Sequence, residues 1–203
     1  MTTPPVPTTR AVLRVSLRAT IVLTVAIAML AVEFTARSGV GWRLITFTYQ
    51  ANILAAAYYG WTLFSPRADA RTGFRGAVVL YVVVAGVVWN LLLTGRSMGY
   101  TPANFLLHVV VPILAVADWL LIGRGAGPAT WWQPLAWLAY PAAYLGLALV
   151  VLHRAGRRAP YYFLDPGSIG IAAMTVNVVV LAIGFVGLGY ALLAVARPRS
   201  ANT

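Results

Sequence analysis

The stretch ANFLLHVVVPILAVADWLLI, residues 103–122, is almost unbroken hydrocarbon side chain, preceded by Thr101 and Pro102. At 1.5 Å per residue a helix of this length covers the roughly 30 Å of a bilayer's apolar core. Thr101 and Pro102 suit an N-cap and a first turn, so the helix start is marked. The run lacks the period-2 alternation of a barrel strand, and only helices and closed barrels satisfy backbone groups in lipid. On either side the same pattern recurs at about 12–34, 43–64, 75–94, 133–152 and 169–194, bounded by Arg, Pro, Gly or Asp. The expectation is an all-α membrane bundle of six transmembrane helices, with both termini on one side.

Composition agrees. Of 203 residues, 61% are hydrophobic and 9% charged, with a mean hydropathy of +0.81, against roughly 25% charge in a soluble domain. Water-soluble enzyme classes are thereby excluded. All 15 basic residues are Arg; they fall singly or in threes between the runs rather than on a polar face, which argues against nucleic acid as a partner. The chain has no Cys, which removes disulfides, iron–sulfur clusters and thiolate chemistry. With the N-terminus inside, inner segments carry nine Arg and outer ones six, so both termini are expected in the cytoplasm. Residues 1–11 and 196–203 read as disordered tails around a single domain at 12–195. The first run, although Ala26 and Ala28 mimic a cleavage site, reads as an uncleaved span.

Polar residues at depth are costly, so they mark interior faces or cavities. Span two opens with Thr46, Thr48, Gln50 and Asn52. Span three ends with Asn90, span four carries Asn104, His108 and Asp118, and span six carries Thr175 and Asn177. Six antiparallel crossings put Thr46, Gln50, Asn90, Asn104, His108 and Asn177 in one leaflet. Asn104 and His108, four apart, stack on one helix face. Pro112, four after His108, removes the hydrogen bond to the His108 carbonyl and predicts a kink there. Asp118 beside Trp119 reads as an interfacial anchor. A lone membrane His is often helix glue worth on the order of 1 kcal/mol, but a hydroxyl at the same depth raises the prospect of an activated nucleophile. Thr46 is that hydroxyl; Thr48, two positions on, points to another helix face and is the weaker candidate.

These residues resemble a known family. WRLITFTYQ at 42–50, NFLLHVVVP at 104–112 and PYYFLDPG at 160–167 are similar to the androgen-induced-gene (AIG/ADTRP) family of multispan membrane hydrolases, and more closely to bacterial six-span Pr-six-Pr proteins. The resemblance runs from about residue 40 to 190. It implies hydrolysis of fatty acid esters of hydroxy fatty acids by a threonine and a histidine, which carry over to Thr46 and His108.

The leading expectation is therefore an intramembrane lipid-ester hydrolase near the extracytoplasmic leaflet of the cell membrane. In it His108 takes the Thr46 proton during attack on an acyl carbonyl. Asn104, Asn90, Asn177 and Gln50 are candidate oxyanion donors or histidine orienters, and Tyr161, Tyr162 and Asp165 are candidates to cover the site from the loop above. Glu33 and Asp165 are the nearest candidate triad acids by topology. Membrane lipids and an acyl-lipid substrate are the expected partners, with the number of subunits left open. No metal or cofactor is expected: a b-type haem has only His108 and His153 to draw on. The rival reading is a non-enzymatic carrier for a lipid or small amphiphile, with the polar cluster as its binding cavity.

Overall fold

A computed structural model of the chain describes residues 8–35, 39–95, 99–123, 130–151, 154, 156 and 158–196. Both expected tails lie largely outside these residues, as do His153 and six of the arginines behind the orientation argument: Arg37, Arg96, Arg124, Arg157, Arg197 and Arg199. Among the described residues there is no strand. Six long helices follow in order: α1 (Thr9–Thr35), α2 (Phe47–Phe64), α3 (Thr72–Leu93), α4 (Pro102–Leu121), α5 (Gln133–Val150) and α6 (Ile171–Ala196). Five of them are long and apolar enough to cross a membrane. The exception is α2, whose first turns carry Thr48, Gln50 and Asn52.

Helix α3 is the hub. Val78, Val79, Leu80 and Val82 are at most 1% exposed, because α2, α4 and α6 all pack on it, with α1 closing the ring against α2 and α4. By contrast α6 leaves Ile171, Val176, Val179, Val180 and Ile183 exposed, and α1 does the same with Leu23, Ile27, Leu30 and Phe34. Branched apolar side chains on outward faces belong against lipid, which leaves the hydrophobic effect nothing to gain by burying them.

Span two does not run unbroken from about residue 43. A short helix, Val40–Ile45, stops at Thr46, whose extended backbone (φ −75°, ψ 142°) separates it from α2. Ile45, Thr46 and Phe47 are β-branched or aromatic in sequence and so are poor at holding a helix against a break. The break turns Thr48 into a first-turn residue of α2, and Phe47 fixes that turn in place. Its ring lies 5.3 Å from Tyr144, 5.6 Å from Tyr140 and 6.1 Å from Phe185.

At the opposite end of the bundle, Asp118 is not an interfacial anchor. It is fully buried, with Arg18 donating to it at 2.9 Å and the Arg75 guanidinium as a second counter-charge 3.7 Å away, too far for a hydrogen bond. Asp69, in the short helix Pro66–Asp69 that Ser65 caps, takes a 2.7 Å bond from Arg18, pairs with Arg75, and takes a 3.1 Å bond from the exposed Arg14. Burial raises the Asp69 carboxyl. The Arg18 hydrogen bond and charge, then the Arg75 and Arg14 charges, outweigh it and hold the group below its ordinary value. The network ties α1, α3 and α4 together where the sequence had suggested only loop arginines.

Candidate functional site

The site forms where α4 leaves regular helix. Residues Leu106–Val110 make a π turn, as Pro112 removes the ladder bond to the His108 carbonyl. That carbonyl takes the Asn90 side-chain amide at 3.4 Å, and Asn90 also donates to the Gly86 carbonyl at 2.8 Å. Gly86 permits the approach, since a Cβ there would lie 2.6 Å from the His108 oxygen. Trp89, itself starting a π turn in α3 (Trp89–Leu93), stacks on the imidazole at 4.2 Å and 19°. The ring is thus held on one face by an aromatic and on its backbone side by an amide.

Both imidazole nitrogens are engaged. Nδ1 lies 2.9 Å from the Asn104 carbonyl, which can only accept, so the Nδ1 proton points there. The neutral ring then has a lone pair at Nε2, 3.2 Å from Thr48 Oγ1. His108 is 4% exposed. The geometry is that of a base oriented by a third group and facing a hydroxyl. The orienting group is a backbone carbonyl rather than a carboxylate: Glu33 pairs with Arg43, and Asp165 caps the short helix Pro166–Ile169 through Gly167 N–H at 3.1 Å and Ser168.

The hydroxyl facing His108 is therefore Thr48, not the expected Thr46. Thr46 turns its hydroxyl back to the Arg43 carbonyl at 2.8 Å, in the break between helices. Thr48 sits on the buried stripe of α2 with Asn52, Ala55, Tyr59 and Thr62. Asn52 seals the α2–α4 contact, donating to the Thr48 carbonyl at 2.9 Å and to the Leu107 carbonyl at 3.5 Å. The spacing of that stripe, four, three, four and three residues, was a signal available in the sequence for Thr48.

The amides expected as oxyanion donors are all committed elsewhere. Asn104 donates to Gly99 at 2.9 Å, Asn177 to the Phe163 carbonyl at 3.0 Å, and Gln50 to Leu44 at 3.0 Å while accepting from Tyr140 at 2.8 Å. Of the loop residues, Tyr161 reaches the site. Its hydroxyl accepts the otherwise orphaned first-turn N–H of Thr48 at 3.3 Å and lies 3.4 Å from Thr48 Oγ1. Tyr162 packs on Phe163 instead.

Thr48 opens on a cavity of about 210 Å³. Its walls are apolar, from Val84 and Val88 of α3, Leu145 of α5, and Leu181 and Phe185 of α6; the side-chain polar groups on it are those of Thr48, Tyr144 and Tyr161. A larger cavity of about 460 Å³ lies beside Gly73, Phe74 and Trp132 and touches neither Thr48 nor His108. No cluster of His, Asp or Glu with metal-binding geometry occurs among the described residues. No protein-family model, no curated protein and no solved structure matches the chain.

Proposed function

We propose that this protein is an intramembrane lipid-ester hydrolase with Thr48 as nucleophile and His108 as general base. The observation that carries the reading is the relay from the Asn104 carbonyl through His108 to Thr48 at the wall of an apolar cavity. A hydroxyl beside an unprotonated imidazole nitrogen is the arrangement nucleophilic catalysis requires, and a cavity of this size with apolar walls suits a hydrocarbon chain rather than a polar ligand. The resemblance to androgen-induced-gene hydrolases supports a threonine–histidine reaction and names fatty acid esters of hydroxy fatty acids as the substrate class, but it carries the threonine over to Thr46, so the choice of Thr48 rests on the His108 contact alone.

In this reaction the Thr48 proton passes to His108 Nε2 as Oγ1 bonds to the ester carbonyl carbon, and the carbonyl π pair moves onto oxygen. Collapse restores the carbonyl and breaks the bond to the leaving alcohol, which takes the proton from Nε2. Water then attacks the acyl-threonine, with His108 again holding the proton in transit. The collapse of this second adduct breaks the bond to Oγ1, returns the proton to Thr48 and releases the acid.

In the membrane arrangement that goes with this reading, α2 is a sixth crossing whose polar first turn faces the bundle interior. Both termini lie in the cytoplasm with the Arg18–Asp69–Asp118 network, and Thr48 lies toward the extracytoplasmic leaflet of the cell membrane. Acyl ester bonds sit near the headgroup boundary, where water also reaches.

The test is acid release from an acyl ester by the detergent-purified protein. Wild type turns over, Thr48→Ala and His108→Ala each lose about 100-fold or more, and Thr46→Ala keeps most of the activity. A folded wild type that binds the ester without cleaving it contradicts the enzyme and makes the cavity that of a lipid carrier.

A further inference from the structure

The nucleophile and base leave one requirement of acyl transfer unmet, because the tetrahedral intermediate needs donors aimed at its oxyanion. Every side-chain amide near the site is spent on a backbone carbonyl. Two phenols are not. The Tyr161 hydroxyl accepts the Thr48 N–H and lies 3.4 Å from Thr48 Oγ1, toward which its own proton can point while Oγ1 faces His108; when Oγ1 bonds to the acyl carbon, that proton can turn to the oxygen forming beside it. The Tyr144 hydroxyl is buried on the same cavity. It comes near the Tyr161 hydroxyl and the Phe47 backbone without closing a hydrogen bond of normal geometry.

We infer that the Tyr161 and Tyr144 hydroxyls together form the oxyanion hole of this site, donating to the oxygen that develops charge when Thr48 attacks. The inference rests on the hydrolase reading and adds two catalytic residues to it. The first turn of α2 supports it electrostatically, since the positive end of an 18-residue helix dipole meets the same point. Burial also pushes the Tyr161 phenol above its ordinary value, with the Thr48 hydrogen bonds pulling the other way, so it remains protonated and able to donate at neutral pH. The two rings come from different segments, α5 and the loop before α6. Tyr161 stacks at 5.4 Å on Phe163, whose carbonyl is held by Asn177. That chain of contacts gives Asn177 a positioning role at one remove from the chemistry.

The experiment uses purified full-length protein, a p-nitrophenyl ester of a short fatty acid and the matching thionoester, whose sulfur is a poor hydrogen-bond acceptor. Wild type prefers the oxygen ester strongly. Tyr161→Phe and Tyr144→Phe keep the ring, lower kcat on the oxygen ester by about 100-fold each with little change in KM, and lose most of the preference over the thionoester. Folded Phe variants that slow on both esters equally, with that preference intact, overturn the assignment. Phe variants that hydrolyse both esters as wild type does, while Thr48→Ala is inactive, overturn it too and leave the Thr48–His108 pair standing. A wild type that cleaves neither ester removes the pair and the oxyanion hole together.

Discussion

At the scale of single residues the difference between Thr46 and Thr48 is one of backbone rather than chemistry. Both are threonines within reach of the same end of the bundle, but one sits in the extended link between helices and the other in the first turn of α2. Asn52→Ala tests how the hydroxyl is held. Without the amide, the Leu107 carbonyl loses a partner in the α2–α4 contact, and the variant is expected to lose about 1–3 kcal/mol of stability with activity falling further than the folded fraction. Thermal unfolding in detergent alongside the hydrolysis rate checks it. His108, its i−4 partner Asn104 and the kinking Pro112 were legible from spacing alone. Thr48 was harder to read, because an unbroken span from residue 43 sends the two threonines to different faces; the stripe it shares with Asn52, Ala55, Tyr59 and Thr62 was the signal that favoured it.

Among the elements, the π turn of α4 and its seat on α3 carry the site. Gly86 lies under the His108 carbonyl with no room for a methyl group, so Gly86→Ala pushes α4 away from α3. The expected cost is about 1–3 kcal/mol, with loss of the Trp89–His108 stacking seen as a change in tryptophan fluorescence. Gly146→Ala is the control, since nothing lies within 4 Å of a Cβ there. The proline rule gave the kink and the freed carbonyl from sequence. What received that carbonyl, Asn90 and the groove at Gly86, depends on how α3 and α4 cross, and one sequence contains no measure of a crossing. Helix α5 shows the same limit from the other side: its tyrosines read as span residues, and only the packing of α3 and α6 makes Tyr144 part of a cavity wall.

Across the whole molecule the two ends do different work. The end with Arg18, Arg75, Asp69 and Asp118 clamps three helices through buried charge. Asp118→Ala leaves Arg18 and Arg75 short of a counter-charge, at an expected cost of about 3–5 kcal/mol, which chemical denaturation in micelles measures. Asp69 makes the clamp sensitive to acid. A carboxyl whose folded value is depressed stabilises the fold fully above its ordinary 3.8 and loses that contribution as pH falls through the folded value. The melting temperature therefore drops on acidification below about pH 4, and Asp69→Asn flattens that drop. Apolar run lengths gave the helices and their order, but arginines read as loop markers concealed a buried ion network. The other end holds the relay that the proposed chemistry needs. Its most direct test is to label the purified protein with an alkyl fluorophosphonate and locate the adduct by peptide mass spectrometry. A single adduct on Thr48, absent from His108→Ala, is the predicted result; an adduct on Thr46, or none on a folded wild type, contradicts it.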